Sequence, residues 1–374
     1  MSAILIADTD LFRILNGIPR VDVRRNLQVA LVHGRHVTSL LREVIALRRG
    51  AGRIAPTEYL YYRLWDPALT MGEKRRFVGK MAQHAMHIAA NDRHWFAPAA
   101  DKILFHTVMA GAGLPVPELL ALTQADRSLR GVSTIRNVND LTGLLRRADL
   151  YPLFIKPTAG KYSLSVISAE AYDAARDEVV LLGGERRAVT DVARFLIGGA
   201  GYLVQRRLCP DRQLAALFGP RLWSVRALVL LGKGEPLIHR AVAKIATGNN
   251  PADNYWRAGN MLGAIDLATG RITRTVRGTC ADLTANENHP DTKRPIVGTT
   301  IPDWDRLTAL VSEAAKVFAG IRTQSWDVAV TDHGPVLLEV NFGGDLNLHQ
   351  FAHGRGILDP TFEAHLRRCG YRFR

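Results

Sequence analysis

The sequence predicts an α+β protein, with a helical N-terminal region over residues 1–98 followed by a mixed strand-and-helix region over residues 99–374. Three observations lead there. Apolar residues in the first hundred positions recur at the helical period. From residue 101 onward, short β-branched runs bounded by Gly, Pro and Asp alternate with helical stretches. A chain of 374 residues is too long for one small core and suits two or three packed lobes.

In the N-terminal region, Val37, Leu40, Leu41, Val44 and Leu47 fall on one helical face. Thr70 and Glu73 form a capping-box pattern that opens a second helix, with Phe77, Met81, Ala85 and Ile88 as its apolar face. The stretch DKILFHTVMAGAG then reads as a helix starting at Asp101 and stopped by glycines and a proline. After it come β-like runs at PLFIK, YLVQR, WSVRALVLL, PLIHRAV, WDVAV and PVLLEV, with a helix near residues 304–320 between the later strands. No internal repeat and no low-complexity linker interrupts the order.

An apolar fraction of 47% and a charged fraction of 22% describe a globular protein, and no apolar run approaches the roughly 20 residues that span a bilayer. The start MSAILIADTDLFRIL has no basic segment ahead of its apolar stretch and carries acids inside it, so no signal peptide and a cytoplasmic location are expected. Cys209, Cys280 and Cys369 stand far apart without a CxxC pair, which predicts reduced thiols rather than a disulfide framework. The net charge of +14 invites a polyanion, whether nucleic acid, acidic lipid or a nucleotide triphosphate. The basic residues are spread along the chain rather than gathered in one arm, which argues against a dedicated nucleic-acid arm.

The C-terminal hairpin carries chemistry on geometry alone. SWDVAV and PVLLEVN flank Asp332-His333-Gly334, a plausible hairpin loop. Pairing Thr331 with Pro335 sets Asp327 opposite Glu339, with Asn341 two residues on and on the same face. Trp326, Val328, Val330, Val336, Leu338 and Val340 then share the opposite, core face. Opposed carboxylates repel unless something positive lies between them. Either a divalent cation held by Asp, Glu and Asn oxygens sits there, or both acids simply face water. A two-residue loop would shift this register. Lys156, at the end of a strand and ahead of the loop TAGKYSLSV with Gly160 and Lys161, suits phosphate contact. No GxxxxGK[ST] occurs and no GxGxxG opens a helix, so a nucleotide site must be of another design.

The ordered set DK…GLPVP, FIKPTAG, LVQRRL, VRALVL, AVAKIATGNNPADN, HPDT, IPDW, WDVAV and LLEVN resembles the ATP-grasp superfamily, in its sugar-transfer-associated branch, from about Leu64 to near Leu358. The resemblance implies two α+β lobes gripping ATP, a small lobe over about 116–204 and a large lobe over about 205–374. It implies Lys102 and Lys156 as phosphate-holding lysines. Gln205, Arg206 and Leu208 would form the hinge whose main chain reads adenine, and Asp211 would reach the ribose. Arg226 would face the transferring phosphate or acyl phosphate, Lys244 and Asn254 would contact phosphate and the metal edge, and Asp327, Glu339 and Asn341 would hold Mg2+ or Mn2+. Tyr162 and Leu164 stand in the phosphate loop where many relatives carry smaller residues, and the helical N-terminus replaces the α/β pre-domain common in the superfamily.

The expected activity is therefore ATP-dependent ligation of a small-molecule or peptide carboxylate to an amine through an acyl phosphate, with no specific nucleic acid as partner. Two other readings remain: a kinase-like phosphotransferase using the same site, and a non-catalytic nucleic-acid-binding protein with a vestigial nucleotide site. His84 with His87, and His349 with His353, are spaced to share a metal, but no carboxylate accompanies them and packed or solvated faces are expected. His289 and Trp304 belong to the family pattern without a physical role. Tyr61, Tyr62 and Trp65 are expected to pack in a core.

Overall fold

The computed structural model describes residues 21–124, 126–158, 166–199 and 201–373. The chain start, the stretch Ala159–Ser165 with Gly160, Lys161, Tyr162 and Leu164, and three further single positions lie outside the described residues. Helices α1 (Val23–Val32), α2 (Val37–Arg49), α3 (Pro56–Tyr61), α4 (Met71–Lys74), α5 (Lys80–Ala90), α6 (Phe96–Ala100) and α7 (Lys102–Gly111) come first.

The described strands form two seven-stranded sheets. The first holds β1 (Leu119–Leu122), β2 (Ser133–Thr134), β3 (Leu153–Pro157), β4 (Ile167–Asp173), β5 (Glu178–Leu181), β6 (Arg186–Ala188) and β7 (Tyr202–Arg206), ordered β2-β1-β7-β3-β4-β5-β6. Helices α8 (Val138–Leu145) and α9 (Val189–Ile197) bury Leu141, Leu145, Val192 and Leu196 in the same core as Ile155, Ala169 and Val204 of that sheet. After α10 (Arg212–Phe218), the second sheet holds β8 (Trp223–Leu230), β9 (Leu237–Ile245), β10 (Met261–Ile265), β11 (Ile272–Arg277), β12 (Thr284–Ala285), β13 (Thr323–Thr331) and β14 (Gly334–Asn341), ordered β12-β11-β10-β9-β8-β13-β14. Helix α11 (Trp304–Val317) precedes β13, and α12 (Leu346–His353) and α13 (Pro360–Arg368) close the chain.

Alternation along the strands sorts the second sheet into two faces. Val225, Ala227 and Val229 of β8, Ala243 and Ile245 of β9, and Trp326, Val328 and Val330 of β13 share a core with Leu307, Leu310 and Val311 of α11. The alternate positions Arg226, Lys244 and Asp327 are thereby turned to the other face.

The β13–β14 hairpin reaches the expected pairing by a different route. Thr331 pairs with Gly334 across a two-residue loop, Asp332-His333, and Gly334 takes φ 102°, a left-handed value that favours glycine. The tighter loop shifts the register by one, so Val328 faces Leu337. A bulge at Leu338 then shifts it back, and Asp327 faces Glu339. Leu337 therefore fills the core beside Val340, while Val336 and Leu338 stay partly exposed, correcting the expected inward face.

The helix expected after Thr70 is split in two. Thr70 does form the capping box with Glu73, but α4 ends at Lys74, and Phe77 and Val78 are buried ahead of α5. Gly79 marks the break: a Cβ there would lie 2.2 Å from Glu58 Oε2. The carboxylate of Glu58 accepts the backbone N–H groups of Ala55 and Lys80, so the approach is fixed. As a result α5 buries Ala82, Met86, His87 and Ala90, while Met81 is exposed. His84 is exposed while His87 is buried, and the two do not face one ligand.

A buried polar cluster holds the helical region together. Lys74, 2% exposed, donates to Glu43 Oε2 at 2.8 Å, and Tyr59 donates to the same oxygen at 2.5 Å, with Arg35 against Oε1. Burial alone would raise the Glu43 carboxyl, but its bonds to Lys74, Tyr59 and Arg35 hold it below the ordinary value. Tyr59, Tyr61, Tyr62 and Trp65 pack as core, with Tyr61 against Phe351 of α12 at a ring separation of 4.8 Å. The replacement Glu43→Gln strands the Lys74 ammonium, and we expect a loss of about 2–3 kcal/mol in urea denaturation at neutral pH. That loss should shrink as pH falls from the ordinary carboxylate range through the lowered Glu43 pKa, where the wild-type carboxyl also becomes protonated. A variant as stable as wild type at pH 7 would show the cluster contributes nothing.

Candidate active site

The polar face of the second sheet lines up charged side chains across four adjacent strands. Arg226 of β8 is paired with Asp327 of β13, and Asp327 is paired with Glu339 of β14. Lys244 of β9 lies opposite Ser224, two residues along β8 and on the same face as Arg226. The guanidinium forks onto Asp327, Nε to Oδ1 and Nη2 to Oδ2, both at 2.6 Å. Lys244 Nζ donates to Asp327 Oδ2 at 3.0 Å and lies 3.3 Å from Asp253 Oδ1. Nη2 of Arg226 also reaches within 3.8 Å of Glu339 Oε1.

The repulsion expected between the facing carboxylates is thus offset by two cations of the chain itself. Burial would raise the Asp327 carboxyl, but the charges and hydrogen bonds of Arg226 and Lys244 overcome it and hold it far below the usual carboxylate range. Lys244 shows the reciprocal effect: burial pulls its pKa down, and Asp253 and Asp327 more than restore it. Asp253, which also accepts the Ser224 hydroxyl proton, is a member of the cluster that the sequence did not single out. Its signal was faint, one acid in a loop next to Asn254.

Two lysines come from outside the second sheet, Lys102 from a helix and Lys156 from the first sheet. Lys102 opens α7, where Asp101 caps the helix and the Lys102 N–H donates to Thr158 O at 3.2 Å, just past Lys156 on β3. Desolvation lowers Lys156, the Lys102 charge lowers it further, and Glu339 and Asp327 pull it partway back, to about 8. Lys156 thus feels both the neighbouring Lys102 and the acids of the row. The segment after β7 is stitched to the hairpin, since Asp211 N donates to Val330 O at 3.1 Å and Asp332 N to Cys209 O at 3.3 Å.

Other candidates have structural duties. Gln205 is buried in β7 between β1 and β3. The Arg206 side chain turns outward to Glu118, 2.7 Å away, so only its main chain is available to a nucleotide. Leu208 lies half-buried in the segment that follows. Asp211 caps α10 by accepting from Gln213 and Leu214 N–H groups, which occupies one oxygen of the proposed ribose ligand. Asn254 Oδ1 accepts from Trp256 N at 3.1 Å and shapes its loop. His289 packs on Trp223 with rings 6.5 Å apart, and Trp304 Nε1 donates to Leu267 O at 3.0 Å, so both serve the fold. His349 is buried, while His353 bonds Ala241 O at 3.1 Å.

The donor set suits a hard divalent cation. Among the described residues no group of three His, Cys, Asp or Glu converges; the expected set of Asp327, Glu339 and Asn341 has only two carboxylates beside an amide. Asn341 now donates its amide nitrogen to Glu339 Oε1 at 3.2 Å. A half-turn of that amide exchanges nitrogen for oxygen and gives two oxygens on one side, as magnesium requires. Asp327 Oδ1 accepts a single bond and keeps a lone pair.

Lys156 on the first sheet thus lies within electrostatic reach of the acids in the charged row on the second. The chain belongs to the sugar-transfer associated ATP-grasp family, whose model matches residues 82–364. No curated protein matches it. Among solved structures it is similar to the ATP-grasp ligase PsnB complexed with minimal precursor, at 17% identity over 75% of this chain and 63% of that one, with a TM-score of 0.40. It is also similar to the D-alanine-D-alanine ligase from Coxiella burnetii, at 14% identity over 75% and 60%, TM-score 0.39. A third is purK, an N5-carboxyaminoimidazole ribonucleotide synthetase in complex with ADP, at 14% over 80% and 59%, TM-score 0.42. The chain thus spans less than two thirds of the length of each.

The asymmetry between the two acids is testable without nucleotide. Asp327→Asn leaves Arg226 and Lys244 buried around a neutral amide, and a loss of about 3 kcal/mol is expected in denaturant titrations. Glu339, with 35% of its side chain exposed and Arg226 at 3.8 Å, should tolerate Gln within about 0.5 kcal/mol. Equal effects of the two substitutions would contradict the assigned geometry.

Proposed function

We propose that this protein is an ATP-dependent carboxylate–amine ligase, forming an amide or peptide bond through an acyl phosphate and releasing ADP and phosphate. What supports the reading is that Lys156 of the first sheet, with Lys102 at the start of α7 beside it, lies within electrostatic reach of Asp327 and Glu339, in the charged row that also holds Arg226 and Lys244. Such a site opposes cations to the negative charge of a triphosphate and keeps carboxylates for its metal. Family membership supports ATP as the nucleotide.

Lys102 and Lys156 bind and orient the phosphates. Gln205, the main chain of Arg206 and Leu208 receive adenine, and Asp211 offers its free oxygen to the ribose. A substrate carboxylate oxygen attacks the γ-phosphorus, and the bond to the β,γ-bridging oxygen breaks with its electron pair leaving on ADP. The amine nitrogen then attacks the acyl carbon and loses a proton, and the carbon–oxygen bond to phosphate breaks. Asp327, Glu339 and Asn341 would hold magnesium or manganese, which neutralises phosphate charge when bound. Arg226, preorganised by its fork onto Asp327, stabilises oxyanion charge at the acyl carbon, while Lys244 and Asn254 line the phosphate edge. No serine or cysteine nucleophile is needed. The catalytic unit is taken as residues 99–374, with residues 21–98 supporting it. No described helix is long and apolar enough to cross a membrane.

Product analysis tests the chemistry: with pooled carboxylates and amines, ADP and free phosphate should accumulate, and AMP with pyrophosphate would refute it. A phosphorylated product that persists in the presence of amine would instead indicate a kinase. Glu339→Gln should lower turnover at least about a hundredfold while leaving the melting temperature without nucleotide unchanged.

The Lys156 ammonium gives a pH signature. Its free-protein pKa of about 8 must rise when phosphate binds, so affinity is full below that value and declines as pH climbs through it. Calorimetry with ADP in buffers of different ionisation enthalpy should show net proton uptake near pH 8, abolished in Lys156→Met. Affinity unchanged between roughly pH 7 and 9.5 would remove Lys156 from the phosphate site.

A further inference from the structure

Helices α1 and α2 bury too little of their own apolar surface. On α1, Asn26 and Ala30 are buried and Val29 packs on the core, while Val23, Leu27 and Leu31, spaced one turn apart, are 46%, 36% and 46% exposed. The same pattern repeats on α2. Leu40 and Leu47 are buried and Val44 packs, while Val37, Leu41 and Ile45 are 55%, 57% and 51% exposed. At 100° per residue each exposed stripe adjoins the buried one, so both helices carry an apolar arc about twice as wide as the core covers. With Val32, these positions are seven of the ten large exposed hydrophobics among the described residues. The concentration is local rather than the ordinary scatter of a soluble surface.

The charge beside these stripes has one sign. Arg24, Arg42, Arg48 and Arg49 are exposed and make no ion pair among the described residues. The two acids of the helix pair are already engaged, Asp22 as the cap of α1 and Glu43 in the Lys74 cluster. At the C-terminal end of α2 a cavity of about 310 Å³ is lined by Arg48, Arg49, Arg53, Met81 and Tyr371 and contains no acidic residue. Met81, 70% exposed, extends the apolar surface to its rim.

We propose that α1 and α2 seat this protein on an anionic lipid bilayer, the stripes entering the acyl boundary and the arginines meeting phosphate head groups. Apolar side chains flanked by unpaired arginines are what an in-plane amphipathic helix requires. The cavity at Arg48, Arg49 and Arg53 accepts a lipid phosphate. A second copy of the chain is the poorer occupant, because a symmetric contact would set like-charged arginines against one another. The surface is separate from the residues placed in the ligase site, and none of these side chains takes part in nucleotide binding.

The test is co-sedimentation of the full chain with vesicles of phosphatidylcholine alone and of phosphatidylcholine mixed with phosphatidylglycerol. Binding is expected only to the mixed vesicles and should weaken with added salt. Arg48→Gln with Arg49→Gln should lower partitioning by about fivefold for each arginine lost. Leu41→Ser with Ile45→Ser should abolish it, with melting temperature and ATP turnover in solution unchanged in both variants. Wild-type protein that stays in the supernatant with mixed vesicles would overturn the proposal, as would double variants that bind like wild type. So would a wild-type dimer that the Leu41→Ser, Ile45→Ser pair dissociates, since the face would then join two copies. Slow alkylation of a Leu41→Cys thiol without vesicles would likewise overturn it, by showing that the chain covers the stripe itself.

Discussion

The fork of Arg226 onto Asp327 is the contact around which the site is organised. It joins β8 to β13 on their polar face, while the opposite face of the same strands is packed against α11. A bare carboxylate at that depth would carry a large desolvation penalty, and so would a bare guanidinium. Together, with Lys244 as a third partner, they are tolerated. The arrangement keeps charged groups aligned on a sheet rather than on mobile loops, which is what electrostatic preorganisation needs.

Support for that alignment comes from the far end of the sequence. The segment after Asn341 is held by side chains of the N-terminal helices: Asn91 Nδ2 donates to Phe342 O at 2.6 Å, and Gln83 Nε2 donates to Gly344 O at 2.6 Å. Tyr62 donates to Asn347, and Gln350 of α12 bonds both the N–H and the C=O of Val78. Asp345 sits in this segment with its carboxyl raised by burial, against the opposing pull of Arg226 and Lys80. The helical region is therefore a brace for the strand that carries Glu339 and Asn341. The family match begins inside α5, so the brace is partly within the family pattern and partly ahead of it.

Where sequence reading and structure diverge, a specific competing contact explains it. The helix after Thr70 broke because Gly79 must approach the Glu58 carboxylate, which ties α3 to α5. That pairing is remote from the local apolar pattern. The β-like runs match β3, β7, β8, β9, β13 and β14; of the eight strands outside them, β10 is buried throughout and shows no alternation, and β2 and β12 are two residues long, too short to read. Asp253 gave only a faint signal because it lies in a loop while its partners Ser224 and Lys244 lie on β8 and β9.

The sequence by itself determined the class of fold, the strands that carry Lys156, Arg226, Asp327 and Glu339, and the facing of the last two. Those depend on local period and on a buried face, which a linear pattern records. It did not determine how that facing is achieved. The two-residue turn and the compensating bulge at Leu338 are settled by which of Leu337 and Leu338 fits the core beneath α11. Nor did it determine what lies between the two acids. A sequence shows that opposed carboxylates need a positive neighbour, but only the packing of β8 and β9 against β13 shows that Arg226 and Lys244 already supply it. Charge compensation acts through space, across strands 83 and 101 residues apart in the chain, and only the folded sheet brings them within 3 Å.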